Sequence, residues 1–355
     1  MTKDKNIFIK NIYYMLSYAF TSLNQGEYEN IAAEEFENIH SLFAAILAKG
    51  IGKQIKQGLF RDYINFQINA ASVKGKINIQ GSIQNILSRK RVLTCEYDEL
   101  SENNIFNQIL KTTVMLLLNH ENVQPDSKSV LKKEMLFFSN VDLIDPVSIR
   151  WSGIRFHKNN STYRMLIILC QFIIEGMLLT TDSGEYRLAS FLNEQRMNRL
   201  FEKFILEYYI KEWPTIKSAA SQVPWSLDDG MSEMLPVMQT DVSLQKNNTV
   251  LIIDAKYYSR TTQNNFGKNT IHSNNLYQIF TYVKNRDYQF GDKPHKVSGM
   301  LLYAKTDENI IPDNVYQMHG NQITVRTLDL SMDFSEIRKQ LDSIAKEHFE
   351  SLIAN

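Results

Sequence analysis

The sequence has only two cysteines, Cys95 and Cys170, in 355 residues, and it contains no Cys-x-x-Cys motif. This argues against a disulfide framework or a zinc ribbon, and it fits a reducing compartment, the cytoplasm. Long apolar runs are also missing: the most apolar stretch, residues 165–179, is interrupted by Gln171 and Glu175 and is too short to cross a bilayer. We therefore expect a soluble cytoplasmic protein with no membrane partner.

The chain has no excess of charge of either sign, since 39 Lys and Arg balance 39 Asp and Glu. No global positive field therefore points to a nucleic-acid partner. A local excess does exist, because residues 254–296 contain seven Lys or Arg against three Asp. This excess could steer phosphate groups toward the stretch, although a solvated basic loop explains it equally well.

A nucleotide-binding loop is the third absence. Residues 50–53 read Gly-Ile-Gly-Lys, but a phosphate loop needs Gly-x-x-x-x-Gly-Lys-Ser/Thr after a strand. Leu47 stands where the first glycine belongs, Gln54 replaces Ser/Thr, and the preceding residues have helical spacing. We expect no nucleotide to bind this chain.

What is present indicates an α/β protein of two domains, with a soft boundary near residue 158, where Pro146 and Gly153 have interrupted regular structure. The expected division is 1–158, an elongated α+β module, and 159–355, a mixed sheet flanked by helices. Apolar periodicity predicts the following elements. Helices are expected over residues 6–23, 39–49, 103–119, 162–180, 194–212, 275–284 and 334–352, and strands within 62–80, 238–244, 250–253, 297–304 and 323–330.

Two strand-like runs organise the C-terminal half. Residues 238–244 alternate between apolar and polar side chains, and residues 250–253 are continuously apolar, as in a central strand buried on both faces. A polar turn at residues 246–248 separates them. The following stretch, residues 259–274, is polar and is predicted to be a loop that lies near DNA.

The apolar strand ends in Asp254-Ala255-Lys256, and the strand period of two puts Asp254 and Lys256 on one face, about 7 Å apart. If the two runs pair as a hairpin, Asp241 comes beside Asp254. Two carboxylates at a strand end suit Mg²⁺, and a nearby lysine can orient a water or offset charge on a phosphate. The alternative is a rim ion pair of Asp254 and Lys256, worth under about 1 kcal/mol.

Two helices supply further polar residues. On the helix that contains residues 275–284, Gln278 and Tyr282 share a face at i and i+4. On the helix over 194–212, Glu202 or Glu207 can add a third carboxylate or hold a water, but being five residues apart they cannot share a face. The alternative is that both glutamates are ordinary surface charges with no role in the site. A strand ending in Asp-x-Lys before a helix with Gln-x-x-x-Tyr resembles the PD-(D/E)xK nuclease superfamily.

Several motifs together resemble the McrC family, the nuclease subunits of McrBC restriction systems. They occur in the family's order along nearly the whole chain. They are Asn11-Ile12-Tyr13-Tyr14-Met15-Leu16-Ser17-Tyr18-Ala19-Phe20, Lys74-Gly75-Lys76-Ile77, Met197-Asn198-Arg199-Leu200-Phe201-Glu202-Lys203-Phe204, Thr240-Asp241, Ile253-Asp254-Ala255-Lys256-Tyr257-Tyr258 and His272-Ser273-Asn274-Asn275-Leu276-Tyr277-Gln278.

The resemblance implies a function beyond what the residues show. The N-terminal module is expected to enter a ring of an McrB-type AAA+ GTPase and to stimulate it, with GTP bound by that partner. The C-terminal domain would cut double-stranded DNA that contains modified cytosine, as in type IV antiphage restriction. By this resemblance Asp241, Asp254 and Lys256 are catalytic and the two aspartates hold Mg²⁺. Gln278, Tyr282 and Glu202 have supporting roles.

Two rival functions stay open at this level. In one, the chain is a non-catalytic regulatory plug of the GTPase ring whose nuclease site is vestigial. In the other, it is a repair nuclease that acts without a partner, which leaves the N-terminal motif unexplained. Magnesium-dependent cutting that requires the partner would separate the endonuclease subunit from both.

Overall fold

The computed structural model describes residues 5–20, 31, 34, 36–180, 186–189, 193–257, 262–265, 268–305 and 312–353. They belong to two compact units. The terminal unit combines Met1–Leu42 with Ser190–Asn355, and the middle unit is Phe43–Ala189. The division expected at residue 158 does not coincide with these units.

Nine helices are found in the described ranges: α1 Lys5–Ala19, α2 Ile39–Gln57, α3 Ile79–Leu87, α4 Ile105–Leu118, α5 Pro125–Met135, α6 Arg164–Met177, α7 Glu194–Glu212, α8 Ser273–Tyr288 and α9 Phe334–Ile353. The strands there are β1 Asp62–Ala70, β2 Lys76–Ile77, β3 Leu93–Ser101, β4 Leu178–Thr180, β5 Tyr186–Leu188, β6 Lys217–Ala219, β7 Gln222–Val223, β8 Met238–Gln239, β9 Val242–Lys246, β10 Thr249–Lys256, β11 Thr262–Asn265, β12 Lys268–Ile271, β13 Lys296–Ala304, β14 Asn314–Met318 and β15 Asn321–Leu328.

The predicted helices are confirmed within a few residues at each end, except that α2 continues eight residues past the predicted end at residue 49 and that residues 21–23 lie outside the described ranges. Two strand predictions need correction. The strand expected over 238–244 is interrupted at Thr240 and Asp241, which separate β8 from β9. The polar stretch expected as a loop at 259–274 contains two strands, β11 and β12, which pair antiparallel because backbone hydrogen bonds do not depend on apolar side chains.

The terminal unit is built on a six-stranded mixed sheet in the order β14-β15-β13-β10-β9-β6. Its central strand β10 runs parallel to β13 and antiparallel to β9. Every β10 residue from Val250 onward is buried, the apolar run over 250–253 as expected and also the charged Asp254 and Lys256. The β9–β10 hairpin turns at Asn247, whose φ of 53° is in the left-handed region that asparagine tolerates.

Helices pack on the sheet and bury alternate side chains of each strand. Val250 and Ile252 share a core cluster with Ile279 and Val283 of α8. Gly299 of β13 permits this close packing, since a Cβ there would lie 2.8 Å from side-chain atoms of Ile279 and Val283. Helix α7 also packs against β10. The core of the terminal unit therefore fixes the position of β10 from several directions.

The N-terminal helix α1 belongs to the terminal unit because it packs against α7. Asn11, 1% exposed, donates hydrogen bonds to the carbonyls of Leu330 and Met332, each at 2.8 Å. An amphipathic stripe predicts a helix but not the surface that covers it. The sequence therefore gave no reason to separate α1 from the residues that follow it, and α1 was assigned to the same domain as they were.

The middle unit has a three-stranded antiparallel sheet in the order β1-β3-β2. Helix α3 lies against this sheet through a buried polar group: Asn85 donates to Asn69 at 2.8 Å and to Thr94 at 2.9 Å. Gly81 allows the approach, because a Cβ there would lie 2.7 Å from the Thr94 hydroxyl. No helix in the described part of the chain is long and apolar enough to span a membrane.

Candidate active site

Three charged side chains meet at one end of β10. Ile253 of β10 pairs with Val242 of β9, and this register puts Asp254 opposite Asp241, the residue just before β9. Lys256 is the last residue of β10 and lies on the same face as Asp254 because side chains alternate along a strand. The hairpin register therefore brings together the residues that the sequence singled out.

Hydrogen bonds fix the geometry of this group. Asp241 Oδ2 accepts from the backbone N–H of Ala255 at 2.9 Å. Lys256 Nζ donates to Asp254 Oδ1 at 2.8 Å and lies 3.7 Å from Asp241 Oδ2. One ammonium group thus spans both carboxylates, which is more than the simple rim ion pair considered above.

Burial makes it unfavourable for both carboxylates of this group to be charged. The side chain of Asp254 is 1% exposed, that of Lys256 11% and that of Asp241 18%. Desolvation, together with the negative charge of Asp241, raises the pKa of Asp254 to about 7 against the opposing effect of Lys256. Desolvation also raises the pKa of Asp241. A second cation, or a proton, is needed to balance both carboxylates.

One carboxylate oxygen has no donor. Oδ2 of Asp254 is buried and has no hydrogen-bond partner within the described ranges. Such an oxygen costs desolvation free energy unless another group coordinates it. It is the atom in this site most in need of a ligand.

Glu202 of α7 belongs to the same electrostatic group. Burial, together with the negative charge of Asp241, raises its pKa to about 7. Its Oε1 accepts a hydrogen bond from Asn198, whose own Oδ1 accepts from the backbone N–H of Tyr257 at 2.7 Å. Asn198 thus ties α7 to the end of β10. Its position four residues before Glu202 is the only sequence signal for this role.

Gln278 and Tyr282 of α8 support the site indirectly, through the backbone of the segment before Asp241. Gln278 Nε2 donates to the Tyr282 hydroxyl at 2.8 Å, and that hydroxyl donates to the Gln239 carbonyl at 3.1 Å. Gln239 lies two residues before Asp241. These bonds hold the segment that carries Asp241 and do not run to the carboxylates themselves.

Thr240 stands in one of the motifs above, but its structural role was not predicted from the sequence. It is 1% exposed, and its hydroxyl donates to the Ser221 carbonyl at 3.0 Å and accepts from the Ser221 N–H at 3.1 Å. These bonds fix the break between β8 and β9 that turns Asp241 toward β10. The partner lies 19 residues earlier in the chain, so local spacing holds no sign of it.

The donor set fits a magnesium ion. The described residues contain no group of three or more His, Cys, Asp or Glu arranged around a common point. Magnesium does not require one, since it usually keeps several waters and binds through one or two carboxylates. The donor-free Oδ2 of Asp254 beside Asp241 offers such a site. Glu202 is close enough to influence the two aspartates electrostatically, but it does not join them in a three-residue metal-binding group within the described ranges.

Comparison with known proteins identifies the chain's relatives. A family model described as "McrBC 5-methylcytosine restriction system component" matches residues 2–304. The chain belongs to the McrBC family. Its resemblance to McrC, drawn from the motifs above, is therefore confirmed.

Two individual McrBC proteins are similar over most of the chain. The type IV methyl-directed restriction enzyme EcoKMcrBC of Escherichia coli K12 is 27% identical over 350 residues, which are 96% of this chain and 98% of that protein. A refined half-complex from a tetradecameric assembly of Thermococcus gammatolerans McrB AAA+ hexamers with bound McrC is 18% identical, with a TM-score of 0.51. The match covers 95% of this chain and 76% of the other. The predicted mixed α/β architecture is confirmed.

Proposed function

We propose that this chain is the endonuclease subunit of a GTP-dependent restriction complex that cuts DNA containing modified cytosine. The observation that carries the proposal is the buried trio of Asp241, Asp254 and Lys256 at one end of β10. A well-packed apolar cluster is often as stable as a buried group of two carboxylates and an ammonium group, or more stable. Stability therefore does not explain this trio, whereas a function would. A PD-(D/E)xK nuclease uses this trio.

In this proposal Asp241 and Asp254 hold Mg²⁺, which would supply Lewis-acid polarisation of the phosphodiester. Lys256 keeps the two carboxylates at a fixed separation through its contacts at 2.8 and 3.7 Å. Its ammonium group also offsets negative charge that develops on the phosphate during attack by water. Glu202, with its pKa raised to about 7, is suited to accept a proton at neutral pH.

Gln278 and Tyr282 act as positioning residues. Their hydrogen bonds hold the Gln239 carbonyl and so restrict the approach of Asp241 to Asp254. A shift of about 1 Å in a catalytic group can lower a rate by about 10²-fold. These two residues therefore affect cutting without contacting the metal.

The middle unit is proposed to bind a McrB-type AAA+ GTPase ring and to stimulate it in the cytoplasm. The surface suited to this role is one face of α3, where Ile79, Ile83, Ile86 and Leu87 are 72%, 51%, 65% and 78% exposed. Their spacing puts them along one stripe of the helix. Exposed apolar patches of this kind mark sites of protein association.

GTP is proposed to bind the partner, since this chain has no phosphate loop. The relative from Thermococcus gammatolerans is described as McrC bound to McrB AAA+ hexamers. This supports the same kind of assembly for the chain. Modified cytosine would be recognised by the complex and not by the three charged residues.

The rival function is a regulatory plug with a vestigial nuclease site. The exposed face of α3 favours it as much as it favours the nuclease, because partner binding does not need Asp241 or Asp254. The two are separated by incubating the chain with its GTPase partner, GTP, Mg²⁺ and methylated duplex DNA. The endonuclease cuts, and Asp254→Ala abolishes cutting while GTPase stimulation stays at the wild-type level.

A matched control is Asp313→Asn, which also removes one carboxylate but at a position 69% exposed. This variant should cut at the wild-type rate. Absence of any cutting by the wild-type pair, with GTPase stimulation intact, would favour the plug. Cutting by the wild-type chain without a partner would instead favour a stand-alone nuclease.

A further inference from the structure

A second charged site lies on the same sheet as the candidate active site. A cavity of about 230 Å³ opens between β6, β9, β10 and the C-terminal part of α8. Ile252 forms part of its wall. Because Ile252 and Asp254 are two residues apart on β10, their side chains point to the same face of the sheet. The cavity and the trio therefore lie on the same face of the sheet.

The lining of this cavity is cationic and free of acids. It includes Lys217 of β6 and Arg286 of α8, and none of its lining residues is Asp or Glu. Lys217 stands directly beside Gln245 in the β6–β9 pairing. Two positive charges around an enclosed polar space favour an anion of small size.

Arg286 is held in place by uncharged partners. Its Nη2 donates to Gln245 Oε1 at 3.0 Å, its Nη1 donates to Gln289 Oε1 at 2.7 Å, and the guanidinium lies 5.3 Å from the centre of the Phe290 ring. Within the described ranges Arg286 makes no ion pair. Its charge is therefore oriented without being neutralised, the state in which a guanidinium binds an oxyanion well.

Two serines also belong to the lining. Ser221 and Ser243 both line the cavity. The backbone of Ser221 is engaged by Thr240, and this fixes the place of its side chain in the wall. Hydroxyls, a planar guanidinium and an ammonium group are the donors with which proteins bind phosphate oxygens.

We propose that this cavity is a phosphate site that anchors the DNA backbone beside the cleaved bond. This step rests on the proposed nuclease function for its ligand, but its donors are independent of the metal site. Gln245 pairs with Val250, four residues before Asp254 on β10, which puts the cavity roughly 13 Å from the trio along the strand. Each strand of B-DNA carries a phosphate about every 3.4 Å of axis, so one strand can reach both sites.

The test measures DNA binding and not cutting. Full-length chain and a methylated duplex are mixed without divalent metal, and affinity is followed by fluorescence anisotropy between about 50 and 200 mM salt. Lys217→Ala and Arg286→Gln should each weaken binding and each lower the slope of log K against log salt by about one. Gln245→Ala keeps the charge but releases Arg286, so it should weaken binding with a smaller change in slope.

Lys346→Ala is the matched control, because it removes one charge from an exposed position on α9. It should leave both affinity and slope unchanged. If all three lysine and arginine variants weaken binding equally, only the net charge matters and the site is refuted. Because no metal is present, this result does not depend on whether the chain cuts DNA.

A second arm asks whether a free phosphate is the ligand instead. Inorganic phosphate is added to the chain, and the melting temperature is compared with that in a buffer of equal ionic strength that contains neither phosphate nor sulfate. If phosphate raises the melting temperature of wild type but not of Arg286→Gln, while DNA binding is the same in both, the cavity binds free anions and the DNA anchor is overturned. If neither DNA nor phosphate responds to Lys217 or Arg286, there is no phosphate site.

Discussion

The end of β10 and one face of α3 both depart from the usual arrangement in which apolar side chains are buried and charged side chains are exposed. At the end of β10, two carboxylates and an ammonium group are buried. On α3, four large aliphatic side chains are exposed while Ser82 and Asn85 are buried. Both arrangements lower the stability of the isolated fold, since charges lose hydration and apolar surface stays in water.

The difference teaches what each region needs from outside the chain. Asp254 Oδ2 has no donor in the described structure, so a small cation or a proton would stabilise the buried charges. An apolar partner surface would cover the exposed aliphatic face. If the terminal unit carries out the chemistry and the middle unit the association, as proposed, single substitutions should separate the two.

The largest effect is expected at Lys256. Lys256→Met keeps the length of the side chain but removes the ammonium group that spans Asp241 and Asp254. Cutting should fall by at least about 10²-fold, because a preorganised charge at the phosphate is lost. GTPase stimulation should be unchanged. Single-turnover cleavage of methylated duplex by the reconstituted pair measures this, and a rate within a factor of two of wild type would remove Lys256 from the mechanism.

Aspartate substitutions on α3 should have the opposite effect and weaken association with the partner. Ile83→Asp and Ile86→Asp change residues that are 51% and 65% exposed, so each should alter the free energy of unfolding by less than about 0.5 kcal/mol. Partner affinity should fall at least about tenfold, since a carboxylate would be buried in an apolar contact. The measurement is the chain concentration that gives half-maximal GTPase stimulation.

Leu143→Asp is the control for this experiment, because Leu143 is also an exposed aliphatic residue of the middle unit, at 55%. It should stimulate the partner normally. Equal losses for Leu143→Asp and Ile83→Asp would show that α3 has no special part in association.

A smaller effect is expected where α8 supports the site. Tyr282→Phe removes the hydroxyl that links Gln278 to the Gln239 carbonyl, at a cost of about 1 kcal/mol, or about fivefold in cutting. The double variant with Gln278→Ala should be little worse than either single one, because both break the same chain of bonds. Tyr288→Phe, on the same helix but 69% exposed, should cut normally. Additive losses would contradict the shared role.

The smallest effect concerns stability in the middle unit. Burial raises the pKa of Glu134 from 4.5 to about 8, and its Oε2 has no partner in the described residues. The folded state therefore favours the protonated form, so wild-type stability is full below pH 4.5 and falls as the pH rises toward 8. Glu134→Gln should gain about 1–2 kcal/mol at pH 8, allowing for partial exposure, and nothing at pH 4.

Urea unfolding at both pH values checks this prediction. The control is Glu99→Gln, at an exposed position of β3 in the same unit. It should not change the pH dependence. A gain for Glu134→Gln that is equal at pH 4 and pH 8 would show that the carboxyl is not protonated on folding.

Much of the terminal unit could be predicted from the sequence because its strands and helices bury regular apolar patterns. The continuous apolar run of β10 and the alternation before it predict the hairpin, and the hairpin register puts Asp241 opposite Asp254. The packing of α1 on α7 could not be predicted, because a stripe does not name its partner. Thr240 was beyond reach for a related reason, since its bonds to Ser221 depend on tertiary contact.

The middle unit was less predictable because α3 does not bury its apolar residues. Sequence patterns place apolar side chains inside, so a short helix that exposes Ile79, Ile83 and Ile86 and packs through Asn85 has no clear signal. The phosphate cavity has the same difficulty. Lys217, Gln245 and Arg286 are brought together from three separate elements, and no spacing in the chain relates them.

Asp241 and Asp254 are proposed to hold a magnesium ion. Isothermal titration of Mg²⁺ into the metal-free, full-length chain at neutral pH tests this proposal most directly, with Asp254→Asn and the exposed Asp313→Asn side by side. We expect one site in wild type and in Asp313→Asn, and at least about tenfold weaker binding in Asp254→Asn. Equal affinity in all three proteins, or no binding by wild type, would contradict it.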